Sequence, residues 1–513
     1  MSVTRRNFLR AAGASALVLP TLSTADAQGT APGSPVFLHG VASGDPLTTR
    51  VVLWTRVTPP PATLGRPVSV RWRVMADGRP SAIVASGTVT TGPERDYTVK
   101  VDAAGLEPGR PYQYLFEALG ATSVTGRTRT IGARPTRVRL ASVACSNYPA
   151  GFFNAYGALA ARDDLDAVLH LGDYIYEFQN GDFGDGTDLK RVPDPEHEAV
   201  TLADYRRRYA IYRTDPDLQA LHRSVPFIAI WDDHESADNA FSGGASNHDP
   251  WNGEGLWRTR REAAARAYRE WMPVRERADQ PFRLYRSFRF GSLVSLAMLD
   301  TRTWRDGQVQ PDDIRGLQTA RRRLMGAEQE AWLFETMRAA GREKVTWSLV
   351  GQQVMFAPFG PAGRRVTNPD AWDGYQAERA RVMQLFGSLQ NVVVLTGDMH
   401  SSWAFDLPPD PWKGYRPDMG IGSVGVEFIT PAVSSAPYFT PEQEARFGPQ
   451  IRAALPHLRY FDGVNRGYLT YDITPDRFLA EFHVTADVQT RSAASERAAA
   501  FAVEPGLPHL LRA

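Results

Sequence analysis

Apolar and polar residues alternate along the first third of the chain with the period of two that is typical of half-buried strands. The clearest run is Val68-Ser69-Val70-Arg71-Trp72-Arg73-Val74, and the turn signal Asp77-Gly78 follows it. A compact apolar run, Val51-Val52-Leu53-Trp54, comes earlier, and Tyr97, Val99 and Val101 alternate with polar neighbours later. No helical period appears between about residues 36 and 132, so the pattern predicts antiparallel strands throughout this region.

The stretch before one of the later strands narrows the fold class of this region. It reads Leu106-Glu107-Pro108-Gly109-Arg110-Pro111-Tyr112-Gln113-Tyr114, and it resembles the corner that precedes a late strand in an immunoglobulin-like or fibronectin-like sandwich. We therefore predict an N-terminal β-sandwich domain over residues 28–132, and we assign no chemistry to it.

The pattern changes after Arg134-Pro135. Continuous apolar runs that are typical of buried strands lie at 138–144, 166–171, 227–231, 293–299, 345–350 and 392–395. Helical patterns alternate with them at 153–161, 202–212, 256–271, 328–339 and 376–385. A polar segment at about 179–200 is predicted to be a surface loop, and 468–473 with 478–484 a closing hairpin. Residues 133–513 are therefore predicted to form an α/β sandwich of mixed sheets flanked by helices.

Composition and charge exclude several classes of protein. A chain of 513 residues is too long for one ordinary core, so two or three domains are expected. Its 43% hydrophobic and 22% charged residues are typical of a soluble globular protein. The net charge of +1 gives no nucleic-acid-binding signal. No stretch after the leader is long and apolar enough to predict a membrane span in the mature chain.

The leader, residues 1–27, predicts export. Thr4-Arg5-Arg6-Asn7-Phe8-Leu9-Arg10 precedes a short apolar run and the small-x-small sequence Ala25-Asp26-Ala27. The two arginines followed by Phe-Leu resemble a twin-arginine signal, although a chance arginine pair in a general secretory signal is the alternative. We therefore expect the twin-arginine export machinery as a partner and a periplasmic or secreted location.

Each of four predicted buried strands is followed by a potential metal ligand. In chain order these are Cys145, then Asp173, then the pair Asp232 and Asp233, then the pair Asp398 and His400. Ligands in open α/β sheets gather beyond the carboxyl ends of the strands. Turns favour Asp and Asn but not His at these offsets, so four such endings together predict a metal centre.

The donor types indicate which ions the centre would hold. Tyr176 follows Asp173 by three residues, so a helical turn would place the phenol and the carboxylate on one face. Phenolate, thiolate and carboxylate suit a trivalent iron better than zinc, whereas the adjacent carboxylates suit Ca2+ or Mg2+. Asp173 lies between the two sets and is predicted to bridge them. Two bridged ions about 3.5–4 Å apart suit in-line attack on a phosphate ester.

Cys145 is the one cysteine of the chain, and it has two interpretations. A buried, inert thiol is the ordinary explanation for a lone cysteine in an exported protein. Metal ligation is the other, and it would account for a thiol in an oxidising compartment.

Three blocks carry a resemblance to a known family. They are Gly172-Asp173-x-x-Tyr176, Trp231-Asp232-Asp233-His234-Glu235 and Gly397-Asp398-Met399-His400-Ser401. They resemble the signature blocks of the PhoD-like alkaline phosphatase/phosphodiesterase family, relatives of purple acid phosphatases and calcineurin-like metallophosphoesterases. The run Gly40-Val41-Ala42-Ser43-Gly44-Asp45-Pro46 and the leader are also similar to that family.

The resemblance implies a metallophosphoesterase fold for the second domain and hydrolysis of phosphate monoesters and diesters at alkaline pH. It implies an Fe3+ ion together with Ca2+ as cofactors. By motif, Asp173 would bridge the ions, and the iron would be bound by Cys145, Tyr176 and His400. Asp233 and Asp398 would bind the second ion, with Asp232 as a weaker candidate. His234 would face the phosphate and would protonate the leaving group or stabilise transition-state charge.

Two departures from the calcineurin-like pattern leave questions open. Asp233 replaces an Asn, and its extra negative charge favours Ca2+. Gln353 stands where that pattern has a His ligand, and three alternatives are open for it: it binds a metal, it binds water, or it binds neither. Asn239 and Arg302 are weaker candidates, for positioning ligands or for contacting the phosphate.

Two alternative functions remain open. One keeps the metal centre and makes diesters the main substrates, as in a phosphodiesterase or a phospholipase D-like enzyme. The other is a metal-stabilised, non-catalytic extracellular binding module.

Overall fold

The computed structural model describes residues 35–277 and 279–513. The predicted leader at 1–27 lies outside the described residues, so export by the twin-arginine route stays a prediction. In the described part of the chain, no helix is long and apolar enough to cross a membrane.

The described residues form 22 strands and eight α-helices. The strands are β1 (Val41–Gly44), β2 (Arg50–Arg56), β3 (Val68–Ala76), β4 (Ile83–Thr91), β5 (Thr98–Ala104), β6 (Pro111–Ala118), β7 (Ala121–Thr122), β8 (Gly126–Arg129), β9 (Val138–Val143), β10 (Ala167–His170), β11 (Phe227–Ala229), β12 (Arg286–Phe290), β13 (Val294–Met298), β14 (Trp347–Gln352), β15 (Val392–Thr396), β16 (Ser402–Asp406), β17 (Val426–Ile429), β18 (Leu458–Asp462), β19 (Arg466–Ile473), β20 (Phe478–Thr485), β21 (Ser495–Glu504) and β22 (Leu507–Arg512). The helices are α1 (Asn154–Ala160), α2 (Leu202–Tyr212), α3 (Pro216–Ser224), α4 (Trp257–Trp271), α5 (Ile314–Leu317), α6 (Gly326–Arg342), α7 (Gln376–Phe386) and α8 (Pro441–Ala454).

The N-terminal region is all-β, as the period-two pattern predicts. Strands β4-β3-β6-β7 form one sheet, and β8 also pairs with β6. Side chains from this sheet, including Val70, Tyr114 and Phe116, share a core with Val51 and Leu53 of β2. The predicted corner is present, because the backbone N–H of Glu107 donates to the hydroxyl oxygen of Tyr112 at 2.8 Å.

The second layer of the N-terminal sandwich is continuous with the sheet of the following region. Strands β1, β2 and β5 form one end of a ten-stranded sheet in the order β22-β21-β20-β19-β9-β10-β11-β1-β2-β5. The junction is a parallel pairing of β1 with β11, in which Gly44 lies opposite Phe227. The local hydrophobic pattern cannot predict a pairing between residues so far apart in the chain.

A seven-stranded sheet, in the order β12-β13-β14-β15-β17-β16-β18, completes the α/β sandwich. Val393 and Leu395 of β15 share a core with β9 and β10 of the ten-stranded sheet. Val392 and Val394 point the other way, into a second core with residues of α6 and α7. On the outer face of the ten-stranded sheet, α1 contacts β19 and β20. The layers are therefore helix, sheet, sheet and helix, which confirms the predicted fold class.

Local capping explains where helices begin. Thr201 precedes α2, and its side chain and that of Asp204 each accept a backbone N–H of the other residue, which forms a capping box. Helix α3 has Pro216 at its first position and the Asp215 carboxylate as its cap. The pattern over 202–212 predicted α2, whereas α3 was not predicted, because its nine residues are fewer than the window in which a helical period is recognised.

Candidate metal centre

The carboxyl ends of β9, β10, β11 and β15 converge on one place. Strands β9, β10 and β11 are parallel neighbours, so the turns that follow them lie side by side. The backbone N–H of Cys145 donates to Gly172 O at 3.2 Å, and the N–H of Ser146 donates to Asp173 O at 2.9 Å. Strand β15 brings the fourth turn from the other sheet, and Asp398 follows it.

These turns hold non-glycine residues in the left-handed backbone region. Cys145, Asp173, Asp398 and His400 have φ values of 60°, 54°, 59° and 49°. Such conformations are uncommon for residues with a Cβ and concentrate at functional sites, where the surrounding structure enforces them. The turns thus aim the side chains inward at a cost in backbone energy.

The first donor group contains the four predicted iron ligands. Ligand atoms of Cys145, Asp173 and His400 lie within 4.8 Å of one another, and all three residues are buried. The Tyr176 hydroxyl donates to Asp173 Oδ2 at 2.8 Å, and its oxygen lies 3.1 Å from His400 Nε2. Ser435, which the sequence did not single out, donates to the same phenol oxygen at 2.8 Å. One thiol, one carboxylate, one phenol and one imidazole therefore converge.

The electrostatics of this group favour a cation. Burial, followed by the charge of Asp173, raises the pKa of the Cys145 thiol well above its ordinary value. The same causes raise the pKa of the Tyr176 phenol. A bound metal ion reverses this effect, because it stabilises the thiolate and the phenolate directly.

The second donor group contains three carboxylates and one guanidinium. Ligand oxygens of Asp232, Asp233 and Asp398 lie within 4.8 Å of one another. Arg302 lies among them: its Nε donates to Asp232 Oδ1, and its Nη2 lies 3.1 Å from Asp398 Oδ1. Asp370 accepts from Arg302 Nη1 at 2.6 Å and also pairs with Arg305. The structure therefore places Arg302 against carboxylates, and its predicted phosphate contact stays a prediction.

His234 lies between the two groups. One of its ring nitrogens is within 4.8 Å of carboxylate oxygens of Asp173 and Asp233. Burial opposes its charged form, but Asp233, Glu177 and Asp173 outweigh burial and raise the pKa of His234 well above its ordinary value. Its Nδ1 lies 2.8 Å from Glu177 Oε2, a residue that the sequence did not predict to be functional.

Glu235, also missed as a functional residue, joins two of the turns. Its carboxylate accepts backbone N–H groups of Asp173 at 3.1 Å, Tyr174 at 2.6 Å and Asp232 at 2.8 Å. Burial, followed by the charge of Asp173, raises the pKa of Glu235 to about 8 against these three donors. The position of Glu235 beside His234 in the Asp-Asp-His-Glu block was the signal that could have identified it.

Two weaker candidates are held by hydrogen bonds. Gln353 Nε2 donates to Leu299 O at 2.9 Å, and its Oε1 accepts from the Thr301 N–H at 2.9 Å. Asn239 donates its backbone N–H to Asp233 Oδ2 at 2.6 Å, and its side chain donates to Asp238. Gln353 therefore lies in a backbone-binding arrangement, and Asn239 positions a carboxylate through its main chain.

The residues present fit bound metal ions. The buried atoms Asp173 Oδ1, Asp232 Oδ2 and His234 Nε2 have no hydrogen-bond partner among residues 35–277 and 279–513. Buried polar atoms are usually satisfied in folded proteins, and these three atoms lie together beside the two donor groups, where an additional group would satisfy them. Carboxylate, phenol and thiol donors are the chemistry that a metal ion would satisfy.

Comparison with known families agrees with this geometry. Residues 140–482 match the model of the PhoD-like phosphatase, and residues 23–132 match that of the PhoD-like phosphatase N-terminal domain. The chain belongs to the PhoD-like phosphatase family. The resemblance drawn from the three sequence blocks is therefore confirmed, as is the prediction of a phosphoric ester hydrolase.

Two individual PhoD-like proteins are similar over nearly the whole chain. Alkaline phosphatase D of Bacillus subtilis (strain 168) is 36% identical over 524 aligned residues, which cover 97% of this chain and 87% of that protein. A solved structure of PhoD superposes with a TM-score of 0.84 at 35% identity, covering 93% of this chain and 92% of the other. The fold of that PhoD structure therefore extends over nearly the whole of this chain.

Proposed function

We propose that this PhoD-like phosphatase hydrolyses phosphate esters at a centre of Fe3+ and Ca2+ bridged by Asp173. The observation that carries the proposal is that Asp173 belongs to two ligand clusters, one with Cys145 and His400 and one with Asp233 and His234. Cys145, Tyr176 and His400 would hold the iron with Asp173, while Asp233 and Asp398 would hold calcium, with Asp232 beside them. When bound, the ions would neutralise phosphate oxygens and activate the attacking water.

The chain itself would supply orientation and a proton. In hydrolysis, the water oxygen forms a bond to phosphorus as the ester P–O bond breaks. A proton from water replaces the one that the leaving oxygen takes up, so the products are an alcohol and a phosphate. His234 Nε2 is the group that would donate to the leaving oxygen, since Nδ1 is already held by Glu177.

Export is part of the proposal. The twin-arginine leader would carry the protein, folded with its metal ions, to the periplasm or the exterior. Ligation of iron would keep the Cys145 thiolate from oxidation there.

Turnover and metal dependence are tested together. The purified protein should release p-nitrophenol from p-nitrophenyl phosphate, lose this activity on chelation, and regain it when Fe3+ and Ca2+ are returned. Asp173→Asn should abolish turnover, because it removes the charge that both ions share. Full activity of Asp173→Asn would contradict the proposed bridge. Stabilisation by metal without turnover of any ester would instead support a non-catalytic binding module.

The iron assignment has its own spectroscopic test. Tyrosinate or thiolate bound to Fe3+ gives a visible charge-transfer band, which Tyr176→Phe should weaken. Cys145→Ser is the matched variant, since it removes the thiolate and leaves the phenolate. A colourless and iron-free but active protein would refute the iron assignment and leave the reaction class standing.

The diester alternative is resolved by comparing substrates. The substrates p-nitrophenyl phosphate and bis-p-nitrophenyl phosphate have the same leaving group, p-nitrophenolate. The ratio of their hydrolysis rates therefore reports the preference for a monoester or a diester.

A further inference from the structure

Glu177 is a buried carboxylate whose two oxygens contact different parts of the chain. Oε2 lies 2.8 Å from His234 Nδ1. Oε1 accepts the backbone N–H of Asp238 at 2.7 Å and the side-chain amide of Asn247 at 2.8 Å. Every one of these partners is a donor, so the arrangement requires an acceptor at both oxygens. The carboxylate thus joins the His234 ring to the segment 238–247.

The ring of His234 is fixed from two further directions. It stacks on Tyr176 with ring centroids 4.3 Å apart and an interplanar angle of 29°. Phe178 contacts it at a centroid distance of 5.2 Å. Stacking fixes the plane of the ring but permits a half-turn flip about the Cβ–Cγ bond, which exchanges Nδ1 with Cδ2 and Nε2 with Cε1. The bond from Nδ1 to Glu177 removes this freedom and leaves Nε2 as the nitrogen available to a substrate.

Resting on the proposed function, we propose that Glu177 is the positioning residue for His234 in proton donation to the leaving oxygen. Glu177 touches neither substrate nor metal ligand atoms in this role. It holds the imidazole with its proton-bearing Nδ1 toward the carboxylate, and the second oxygen holds Glu177 itself in place through the segment 238–247. Partners that orient metal-ligating histidines typically contribute about 10–100-fold to activity, and we expect the same order of magnitude for His234.

Glu177→Gln tests the role, because an amide has only one acceptor oxygen. If that oxygen faces His234, the NH2 group faces the donors of Asp238 and Asn247. If it faces the segment 238–247, the NH2 group faces His234 Nδ1–H. The first orientation breaks one attachment, and the second keeps both only if His234 Nδ1 gives up its proton, which leaves a neutral ring that is a poor acid. Glu177→Gln therefore disturbs His234 in either case without changing the size of the side chain.

Leaving groups of different basicity distinguish positioning from a structural effect. Proton donation matters most for a poor leaving group such as the alkoxide of glycerol 2-phosphate, and least for p-nitrophenolate. Glu177→Gln should lower kcat on glycerol 2-phosphate by about 10–100-fold, with a clearly smaller loss on p-nitrophenyl phosphate. The visible band and the metal content should stay as in the wild type.

A double-mutant cycle with His234→Asn sharpens the test. If Glu177 acts through His234, the double variant should be no slower than His234→Asn alone. Glu198→Gln is the matched control. Glu198 accepts from the same Asn247 amide at 2.9 Å and from Arg260 at 2.7 Å, but it makes no hydrogen bond to His234. Its substitution should leave the ratio of the two ester rates unchanged.

The outcomes separate the two proposals. Equal losses on both esters, loss of metal, or a double variant much slower than His234→Asn would overturn the positioning role while ester hydrolysis stands. A metal-loaded wild type that hydrolyses neither ester would overturn the proposed function and the positioning role with it. The selective loss on glycerol 2-phosphate, absent in Glu198→Gln, supports the role.

Discussion

Gly172 allows two of the metal-binding turns to approach each other. Its φ of +114° lies in a region that residues with a Cβ rarely adopt. A Cβ built on it would lie 2.3 Å from Asp232 Cβ and 2.9 Å from Asp232 N, closer than any real contact. The clash is with the main chain and the first side-chain atom of the neighbouring turn, so no rotamer change relieves it.

Two separate costs follow for Gly172→Ala. The unfavourable backbone conformation costs about 1–3 kcal/mol. Forcing Asp232 aside in a packed interior adds about 1–3 kcal/mol. Gly181 provides a matched control, since its φ is +93° and a Cβ there meets nothing within 4 Å. Gly181→Ala should show the backbone cost alone.

Urea unfolding followed by tryptophan fluorescence measures both variants against the wild type. Gly172→Ala should be destabilised by about 2–6 kcal/mol and Gly181→Ala by about 1–3 kcal/mol. Because the displaced Asp232 shares a donor group with Asp233 and Asp398, phosphatase activity should fall far more in Gly172→Ala than in Gly181→Ala. Equal unfolding midpoints for the two variants would refute the close approach of the turns as the reason for the glycine.

Three further predictions concern stability, each measured by urea unfolding. Thr201→Ala removes the side chain that accepts the N–H of Asp204 at 3.3 Å, so it should lower the free energy of unfolding by about 1 kcal/mol. Thr201→Ser keeps a hydroxyl at this position and should leave the free energy of unfolding unchanged. Asp370→Asn leaves the buried Arg305 guanidinium without its carboxylate partner, whereas Arg302 keeps Asp232 and Asp398, and it should cost about 3–5 kcal/mol; an unchanged midpoint would contradict the pairing of Asp370 with Arg305. Burial raises the pKa of Glu378 from 4.5 to about 8, so the folded chain holds this proton where the unfolded chain has lost it. The free energy of unfolding should therefore carry a contribution that falls as pH rises from 4.5 to 8, and Glu378→Gln should remove it; an identical pH profile would contradict this.

Local pattern predicted the elements whose burial is regular. The helix over 202–212 lies where its period placed it, and the apolar run 392–395 lies within β15. The pattern missed β21 and β22, so the predicted closing hairpin of β19 and β20 is followed by two more strands. Alanine-rich β21 has exposed residues over its first half, which gives it no clear alternation.

The residue types that follow the buried strands predicted much of the candidate centre, because the end of a strand is also recognisable from the local pattern. Cys145, Asp173 and Asp398 each follow a buried strand, and the carboxyl ends of such strands meet at one edge. Glu177 had no comparable signal, and Glu235 had only its position beside His234 in the Asp-Asp-His-Glu block. Each is a single acidic residue within a motif, and its importance lies in the donors that face it across the fold.

The sequence by itself determined the local structure, the family and the donor types, because periodicity, turn residues and motif spacing act over a few residues. Only the tertiary structure decided how those pieces combine. It joined β1 to β11 across the predicted domain boundary, and it surrounded the Arg302 guanidinium with carboxylates. It also directed both oxygens of Glu177 to donors from other segments. These are contacts between residues distant in the chain, and their energies depend on burial and distance, which no local pattern records.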